Sequence, residues 1–363
     1  MAEEKTIGLS RDYIIHPGET LMEVMDDKGM NQKELAIRCG VSEKHISTVL
    51  NGKKNISADF AKKLEYALGI EAIFWMNLQS NYDEEIIKFE DIHGITSEEI
   101  DVLKDLKEVL VDYRKKGFIC ENLSNVDEVL QLRRLFNLSN LLNIPKLTHI
   151  GAFRLKKENV NVNCYTMFAW EKYCELIDKD VKIEHELNIP LLKKSIPEIK
   201  SIMFHNSKSL IGDLKNALAK CGIKFYLVPN YKGAPVQGYI RHNNDSGVSL
   251  FMTIRGSFAD IFWFSLFHEI AHILNGDAKN SFIDYDEMPE ELENKADEVA
   301  SNILISSSSY QSFVEKNDFT IDAIRRLANE NNVQIFMCLG RLMRDKYVDY
   351  TRYSNYRLRY QLA

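Results

Sequence analysis

Apolar residues in the first part of the chain recur every three or four positions, the spacing of one face of an α-helix. Each of four segments begins at proline or at a polar capping residue and stops at a glycine, and these segments are 17–29, 31–40, 42–52 and 57–69. Proline suits the first turn of a helix, asparagine and serine cap it, and glycine ends it. The pattern therefore predicts four short helices.

A longer helical pattern follows. Apolar residues keep the spacing of three and four through 98–117 and 126–144, so we expect helices there and a largely helical region from about 95 to 205. The acidic stretch "NYDEEIIKFEDIHG", residues 81–94, is expected to mark a boundary after the first domain. Nothing in this middle region indicates chemistry.

The spacing of apolar residues changes after residue 209. A helical segment, 209–222, precedes three short runs with the composition of strands, 223–229, 236–242 and 247–255. An apolar helical segment, 258–276, and a polar one, 289–306, come next. A small sheet packed by helices is expected, so the fold class is α+β and mostly helical.

Composition narrows the class of protein. The chain has 363 residues, 45% of them hydrophobic and 27% charged, which is typical of a globular protein with two or three domains. The net charge of −7 gives no general attraction to DNA or membranes, so DNA contact needs a local basic face. The six cysteines form no C-x-x-C pair, and the N-terminus lacks an apolar signal segment. We expect a cytoplasmic protein without a membrane partner.

Two histidines and a glutamate stand inside the apolar stretch "DIFWFSLFHEIAHILNGD". His268 and His272 are four residues apart, so a helix places both imidazoles on one face. Glu269 then lies about 100° around the helix from His268, beside a shared metal ion. This is the H-E-x-x-H arrangement of hydrolytic zinc sites. The alternative is a helix whose histidines are satisfied by other partners, although leaving them unmet would cost about 1–3 kcal/mol each.

A third ligand is expected on another element, because catalytic zinc takes three protein ligands. Glu293, about twenty residues after His272, completes a set of two histidines and one carboxylate. Asp297, one turn later, is placed to accept the other N–H of a ligand histidine. The alternative ligands are the nearby carboxylates Glu290, Glu291 and Glu298. A second alternative is that these residues form an acidic helix face exposed to solvent, without a metal.

The chemistry implied is peptide hydrolysis. Zn²⁺ would activate water, and Glu269 would take its proton and deliver it to the leaving amine. An extended peptide would add to the edge of the sheet, which we expect to be the strand 247–255. Tyr239, His242 and Arg255 are candidates for a second group that stabilises the oxyanion, although each has a structural role as its alternative.

The segment 31–54 predicts a helix-turn-helix. Gly40 allows the turn, Ser42 caps a reading helix that ends at Leu50, and the segment holds five basic and two acidic residues. The core would contain Leu35, Ala36, Ile46, Val49 and Leu50. The residues expected to contact DNA are Gln32, Lys33, Ser42, Lys44, His45, Ser47, Thr48, Lys53 and Lys54. The lysines at 33, 53 and 54 suit phosphates, as does Gln32, whereas Lys44, His45 and Thr48 suit base edges. A packing module without DNA contact is the alternative.

The two halves resemble known families. The motifs "HPGE", "CGVS", "NGK", "ISADFAKKL" and "FWMNLQ" resemble the XRE-type domain of HigA antitoxins. The stretches "FWFSLFHEIAHILNGD", "FID", "ENKADEVASNILIS" and "CLGRLMRDKYVDY" resemble ImmA/IrrE family metallopeptidases. That resemblance implies zinc ligands at His268, His272 and Glu293, a catalytic base at Glu269, and cleavage of XRE-type repressors. Lys295 and "ISSSS" depart from the family pattern without removing a ligand.

Three domains are thus expected: a helix-turn-helix domain (1–85), a helical middle domain (95–205) and a zincin-like metallopeptidase domain (206–363). The first hypothesis is a DNA-binding regulator, expected to be a homodimer on double-stranded operator DNA, that cleaves a repressor or antitoxin-type protein or itself. The second is a non-enzymatic repressor or antitoxin whose C-terminal domain senses a ligand or binds a toxin.

Overall fold

A computed structural model describes residues 11–147, 162–242, 247–254, 256–276 and 290–360. Contacts divide the chain into two compact units. The first contains the chain up to Ile100 together with Leu123–Leu130, and the second contains Asp101–Asn122 and the chain from Gln131 onwards. The expected three-domain division stays a prediction, but the helices between residues 101 and 205 mostly belong to the same unit as the sheet.

The described residues before Ser97 form five α-helices. They are α1 (Pro17–Asp27), α2 (Gln32–Cys39), α3 (Glu43–Leu50), α4 (Ala58–Leu68) and α5 (Ala72–His93). The caps expected at Asn31, Ser42 and Ser57 are present, since each side-chain oxygen accepts a hydrogen bond from a backbone N–H of the first turn. The buried core contains Leu21, Leu35, Ile46, Val49 and Trp75. Four of the five expected core residues are buried, and Leu50 is partly buried against them.

The acidic stretch 81–94, where a boundary after the first domain was expected, belongs to α5, which continues to His93. That boundary stays a prediction. Hydrogen bonds of Gln79 hold α5 against the rest of the first unit. Gln79 accepts a hydrogen bond from the Ile56 N–H at 2.8 Å and donates to Asp83 at 2.8 Å. Tertiary contacts of this kind stabilise a polar helix that its sequence alone leaves ambiguous.

The remaining helices before the sheet are α6 (Ser97–Lys115), α7 (Asn125–Phe136), α8 (Ile144–Leu147), α9 (Cys164–Asp178), α10 (Ile189–Ser201) and α11 (Leu210–Ala219). The helix expected over 126–144 stops at Phe136, because Asn137 adopts a left-handed conformation (φ 56°) that ends it. In the second unit, the Tyr113 hydroxyl donates to the Ala169 carbonyl at 2.7 Å, so α6 and α9 are joined directly.

The sheet has three strands, β1 (Ile223–Val228), β2 (Gly238–His242) and β3 (Val248–Thr253). Their order is β1-β3-β2, with β1 parallel and β2 antiparallel to β3. The expectation that residues 247–255 form the edge is therefore wrong. β3 is the central strand, with all six residues buried, and β2 is the edge strand beside it. Pairing order depends on contacts distant in sequence, which composition does not reveal.

Helices cover both faces of the sheet. One face carries the rings of Tyr226, Phe251 and Tyr239, and Asp178 of α9 accepts hydrogen bonds from Tyr226 and Ser249 there. The other face, with Ile240, Leu250 and Met252, joins the core shared with α12 (Ala259–Asn275). Four further helices follow: α13 (Glu290–Leu304), α14 (Ser307–Glu315), α15 (Ile321–Glu330) and α16 (Ile335–Arg344).

The C-terminal segment holds the start of α12. Arg357 donates to both carboxylate oxygens of Asp260, at 3.2 and 2.9 Å, and this ion pair is nearly buried. Burial raises the pKa of Asp260, and the neighbouring guanidinium opposes that rise. The Ala259 N–H donates to the Leu358 carbonyl, and Trp263 donates to the Tyr360 hydroxyl. The helix that carries the histidine pair is thus fixed at its N-terminal end.

Candidate metal site and helix-turn-helix surface

The histidine pair lies on the interior of the second unit. α12 is apolar on almost every side, and thirteen of its seventeen residues are buried. His268 is 0%, His272 3% and Glu269 5% exposed. Burying three such groups is costly unless each has a strong partner. The surroundings therefore determine whether these residues form a site.

The two imidazoles and the Glu293 carboxylate converge on one point. The Nε2 atoms of His268 and His272 are 2.9 Å apart. The Glu293 oxygens lie 3.3 Å from the His268 Nε2 and 3.4 Å from the His272 Nε2. Ligands about 2.0–2.2 Å from a tetrahedral zinc ion are separated by about 3.3–3.6 Å. The two distances to Glu293 match this separation, whereas the two Nε2 atoms are about 0.4 Å closer than a bound zinc ion would hold them. Among the described residues, these three form the group that could bind a metal.

Asp297 fixes the orientation of His268. Its carboxylate accepts from the His268 Nδ1 at 2.6 Å. A proton on Nδ1 leaves the Nε2 lone pair directed at the convergence point, which is the tautomer that a metal ligand needs. Glu293 and Asp297 are four residues apart on α13, and the carboxylates of both lie against the His268 imidazole.

Glu293 is suited to stay ionised. Its burial opposes ionisation, but hydrogen bonds and positive charge from the imidazoles of His268 and His272, when these are protonated, outweigh that effect and hold its pKa below the usual range. Its side chain is 34% exposed, so one side of the site faces a cavity. A carboxylate of this kind is an oxygen ligand for a divalent ion. The alternative ligands Glu290, Glu291 and Glu298 are all exposed, and Glu290 also lines this cavity.

Glu269 lies against the start of β2. A Cβ atom at Gly238 would be 2.3 Å from the Glu269 Oε1, a distance that real Cβ contacts do not show. Glycine is therefore required there if the carboxylate is to keep its place. No sequence signal marked Gly238, because a glycine in a strand has many possible causes.

Two of the three candidates for a second stabilising group, Tyr239 and His242, lie away from Glu269 in the structure. The Tyr239 hydroxyl contacts Glu171 at 3.4 Å, and strand alternation points it away from the face that Gly238 presents to Glu269. His242 is at the far end of β2, about 13 Å along the strand from Gly238. Arg255 and the "FID" motif, residues 282–284, lie outside the described residues.

A cavity of about 1040 Å³ adjoins the metal group. Glu293 and Asp297 of α13 form part of its wall, together with Phe264 and Ser265 of α12. Arg341, Arg344 and Arg357 line it as well. This volume accommodates a peptide segment or a ligand of comparable size.

The helix-turn-helix is formed by α2, α3 and the turn between them. Gly40 takes the left-handed conformation (φ 63°), and the Ser42 oxygen accepts from the His45 N–H at 3.2 Å. Gln32, Lys33, Lys44, Lys53 and Lys54 are exposed, as is Ser42 itself. These positions are available to phosphates.

Five of the predicted DNA contacts have intramolecular partners in the structure. The Ser42 oxygen accepts from the His45 N–H, and the Lys54 Nζ lies 3.2 Å from the His45 Nδ1. The His45 ring packs 4.7 Å from Phe60, and burial lowers its pKa, as do Lys54 and Lys63. The Thr48 hydroxyl donates to the His45 carbonyl, and Ser47 accepts from the Asn51 amide. Their contact with DNA stays a prediction, and Lys44 is the exposed candidate on α3.

The similarities to known proteins lie in the first unit. Residues 21–75 match the helix-turn-helix family, the class of DNA-binding domain that this geometry defines. Virulence-associated protein A' of Dichelobacter nodosus is 38% identical over 69 residues, which is 19% of this chain and 60% of that protein, so the chain spans less than two thirds of its relative.

Two solved structures are similar over the same region. One is an addiction module antidote protein of a HigA family from Coxiella burnetii, 28% identical, with 27% of this chain and 91% of that chain covered. The other is antitoxin GraA, 33% identical, with 24% and 89% covered. The TM-scores are 0.19 and 0.21. The family match ends at residue 75 and so does not include the metal group. The metal group is identified from the positions of its side chains.

No helix among the described residues combines the length and apolar character that a membrane span requires.

Exchanging Asp297 for asparagine is expected to weaken metal binding about 10–100-fold, because the amide presents no charge to the His268 Nδ1–H and can turn its own N–H toward it. Affinity would be measured by competition with a chromogenic zinc chelator. Glu298→Gln, which removes the same charge from an exposed position on the same helix, is the matched control and should leave affinity unchanged. Equal affinities in all three proteins would show that Asp297 does not support the ligand.

Proposed function

We propose that the chain is a cytoplasmic DNA-binding transcriptional regulator that also has zinc-dependent endopeptidase activity. The observation that supports the activity is the convergence of His268, His272 and Glu293, with Glu269 beside them on a buried helix. The same ligand set also serves Fe(II) in other sites. The adjacent carboxylate of Glu269, which suits a general base, favours hydrolysis and zinc.

Each residue of the site has a role in this proposal. His268, His272 and Glu293 would hold the ion, and Asp297 would maintain the tautomer of His268. When bound, zinc supplies polarisation of the scissile carbonyl and activation of water. Glu269 accepts the proton of the attacking water and transfers it to the leaving amine. Gly238 leaves the space in which that carboxylate lies.

The peptide would bind along β2. This strand is at the edge of the sheet, and it begins beside Glu269. An edge strand can pair with an extended peptide through backbone hydrogen bonds, and the cavity next to Glu293 receives its side chains. We propose a repressor or antitoxin-type protein, or the chain itself, as the substrate, because the first unit matches a regulator domain.

The first unit would bind double-stranded operator DNA. Lys33, Lys44 and Lys53 are exposed on the helix-turn-helix and would contact phosphates or base edges. A single reading helix reaches few bases, so we propose a homodimer on two half-sites. The resemblance of the first unit's motifs to HigA antitoxins makes a toxin protein a further partner in this proposal.

The endopeptidase proposal predicts that Glu269→Gln keeps the metal and loses cleavage, since the amide cannot accept the proton of water. Cells expressing the wild-type chain or the variant would be compared by proteome-wide analysis of protein N-termini. New N-termini are expected only with the wild-type chain, and zinc content should be equal. Identical N-termini in both cells would favour the non-enzymatic alternative, a repressor or antitoxin that senses a ligand or binds a toxin.

The DNA-binding proposal predicts that Lys44→Ala weakens binding, because one phosphate or base contact is lost. The affinity for a labelled duplex from upstream of the protein's own reading frame would be measured over a range of salt concentrations. If Lys44 contacts a phosphate, the slope of log K against log salt should fall by about one. Lys88→Ala, on α5 and paired with Glu84, is the control and should leave the slope unchanged. Equal slopes and affinities for Lys44→Ala and wild type would contradict the assignment of α3 as the reading helix.

A further inference from the structure

Gln237 precedes β2 and forms part of the wall of the cavity that adjoins the metal group. Its side chain is partly exposed there, while the residue that follows it, Gly238, is buried. Glu293 and Asp297 line the same cavity from α13. A polar amide therefore faces the space that the proposed substrate would occupy, and none of the roles described above uses it.

The position of this amide is fixed by α12. The Ser265 hydroxyl donates to the Gln237 Oε1 at 3.3 Å, and Ser265 itself is only 3% exposed. Because the oxygen end of the amide faces Ser265, the opposite end, Nε2, is the end that can donate to a ligand. A side chain held in this way loses little freedom when it makes a further hydrogen bond.

The backbone at this point is fixed as well. The Thr253 N–H donates to the Gln237 carbonyl at 3.0 Å, and the Thr253 hydroxyl donates to the Val236 carbonyl at 2.5 Å. Both contacts join the start of β2 to the end of β3. The amide thus projects from a rigid part of the sheet, which is the support that a substrate-binding group requires.

Gln237 also lies close to the catalytic base. Ser265 and Glu269 are four residues apart on α12, so they share a face at a distance of about 5–6 Å. Gln237 contacts the first of them, and a Cβ on Gly238 would clash with the second. The two pairs therefore lie side by side, and the amide is about one helical turn from the carboxylate of Glu269.

We propose that Gln237 is a substrate-binding residue whose Nε2 donates a hydrogen bond to a backbone carbonyl oxygen of a peptide in the cavity. The inference rests on the proposed endopeptidase function. A neutral N–H donor suits a backbone carbonyl, because this acceptor recurs in every peptide and carries no net charge. Gln237 would thereby hold the peptide in place beside Glu269.

The test uses two zinc ligands that differ only in whether they include a peptide. Acetohydroxamate reaches the metal alone, whereas N-acetyl-dialanyl hydroxamate adds backbone carbonyls that extend into the cavity. Binding of each to the zinc-loaded full-length chain would be measured by calorimetry for wild type and for Gln237→Met. Methionine has a similar length and no donor, so the substitution removes the hydrogen bond without adding charge.

Gln237→Met should bind the peptide hydroxamate about 10-fold more weakly and acetohydroxamate equally well, as expected for one lost hydrogen bond. Ser301→Ala, which removes a polar group from another point of the cavity wall, should change neither affinity. Unchanged affinity of Gln237→Met for the peptide probe, or an equal loss in Ser301→Ala, would overturn the role of Gln237 while leaving the metal site intact. Failure of both probes to bind wild type would instead overturn the proposed peptidase site, and with it this inference.

Discussion

Three ionisable side chains inside an apolar helix impose the constraint on which this structure depends. His268, Glu269 and His272 are almost completely buried, and the two Nε2 atoms face each other at 2.9 Å. Two imidazole lone pairs at that distance repel unless a proton or a cation lies between them. The carboxylates of Glu293 and Asp297 place negative charge around the pair, which favours a cation. A divalent ion bound by His268, His272 and Glu293 would satisfy the two imidazoles and the carboxylate together.

The rest of the second unit positions this group. β3 buries all six of its residues and fixes the start of β2 beside α12, while Arg357 and Tyr360 of the C-terminal segment hold the first turns of that helix. The sheet edge, the cavity and the proposed base therefore meet at one end of β2. The helix-turn-helix is a separate compact unit with its own core, so its capping and packing do not depend on the metal group.

Local chemistry explains what the sequence could predict. The sequence was sufficient to predict features that depend on neighbours within four residues. These are the caps at Asn31, Ser42 and Ser57 and the pairing of His268 with His272. Glu293 followed from its chemistry and spacing. The strand order, the continuation of α5 and the contact between Gly238 and Glu269 depend on residues distant in the chain. Gln237 gave no signal, because its role arises only when β2 lies against Ser265.

The most direct test of the metal group is zinc K-edge X-ray absorption on full-length protein purified without chelators, with metal content measured on the same sample. This account predicts about one zinc per chain, with about two imidazole nitrogens at roughly 2.0–2.1 Å and oxygen in the remaining positions. A protein that contains no zinc, or zinc bound through sulfur, would contradict it. In that case, the two histidines would be core residues, and DNA binding by the first unit would remain as the proposed function.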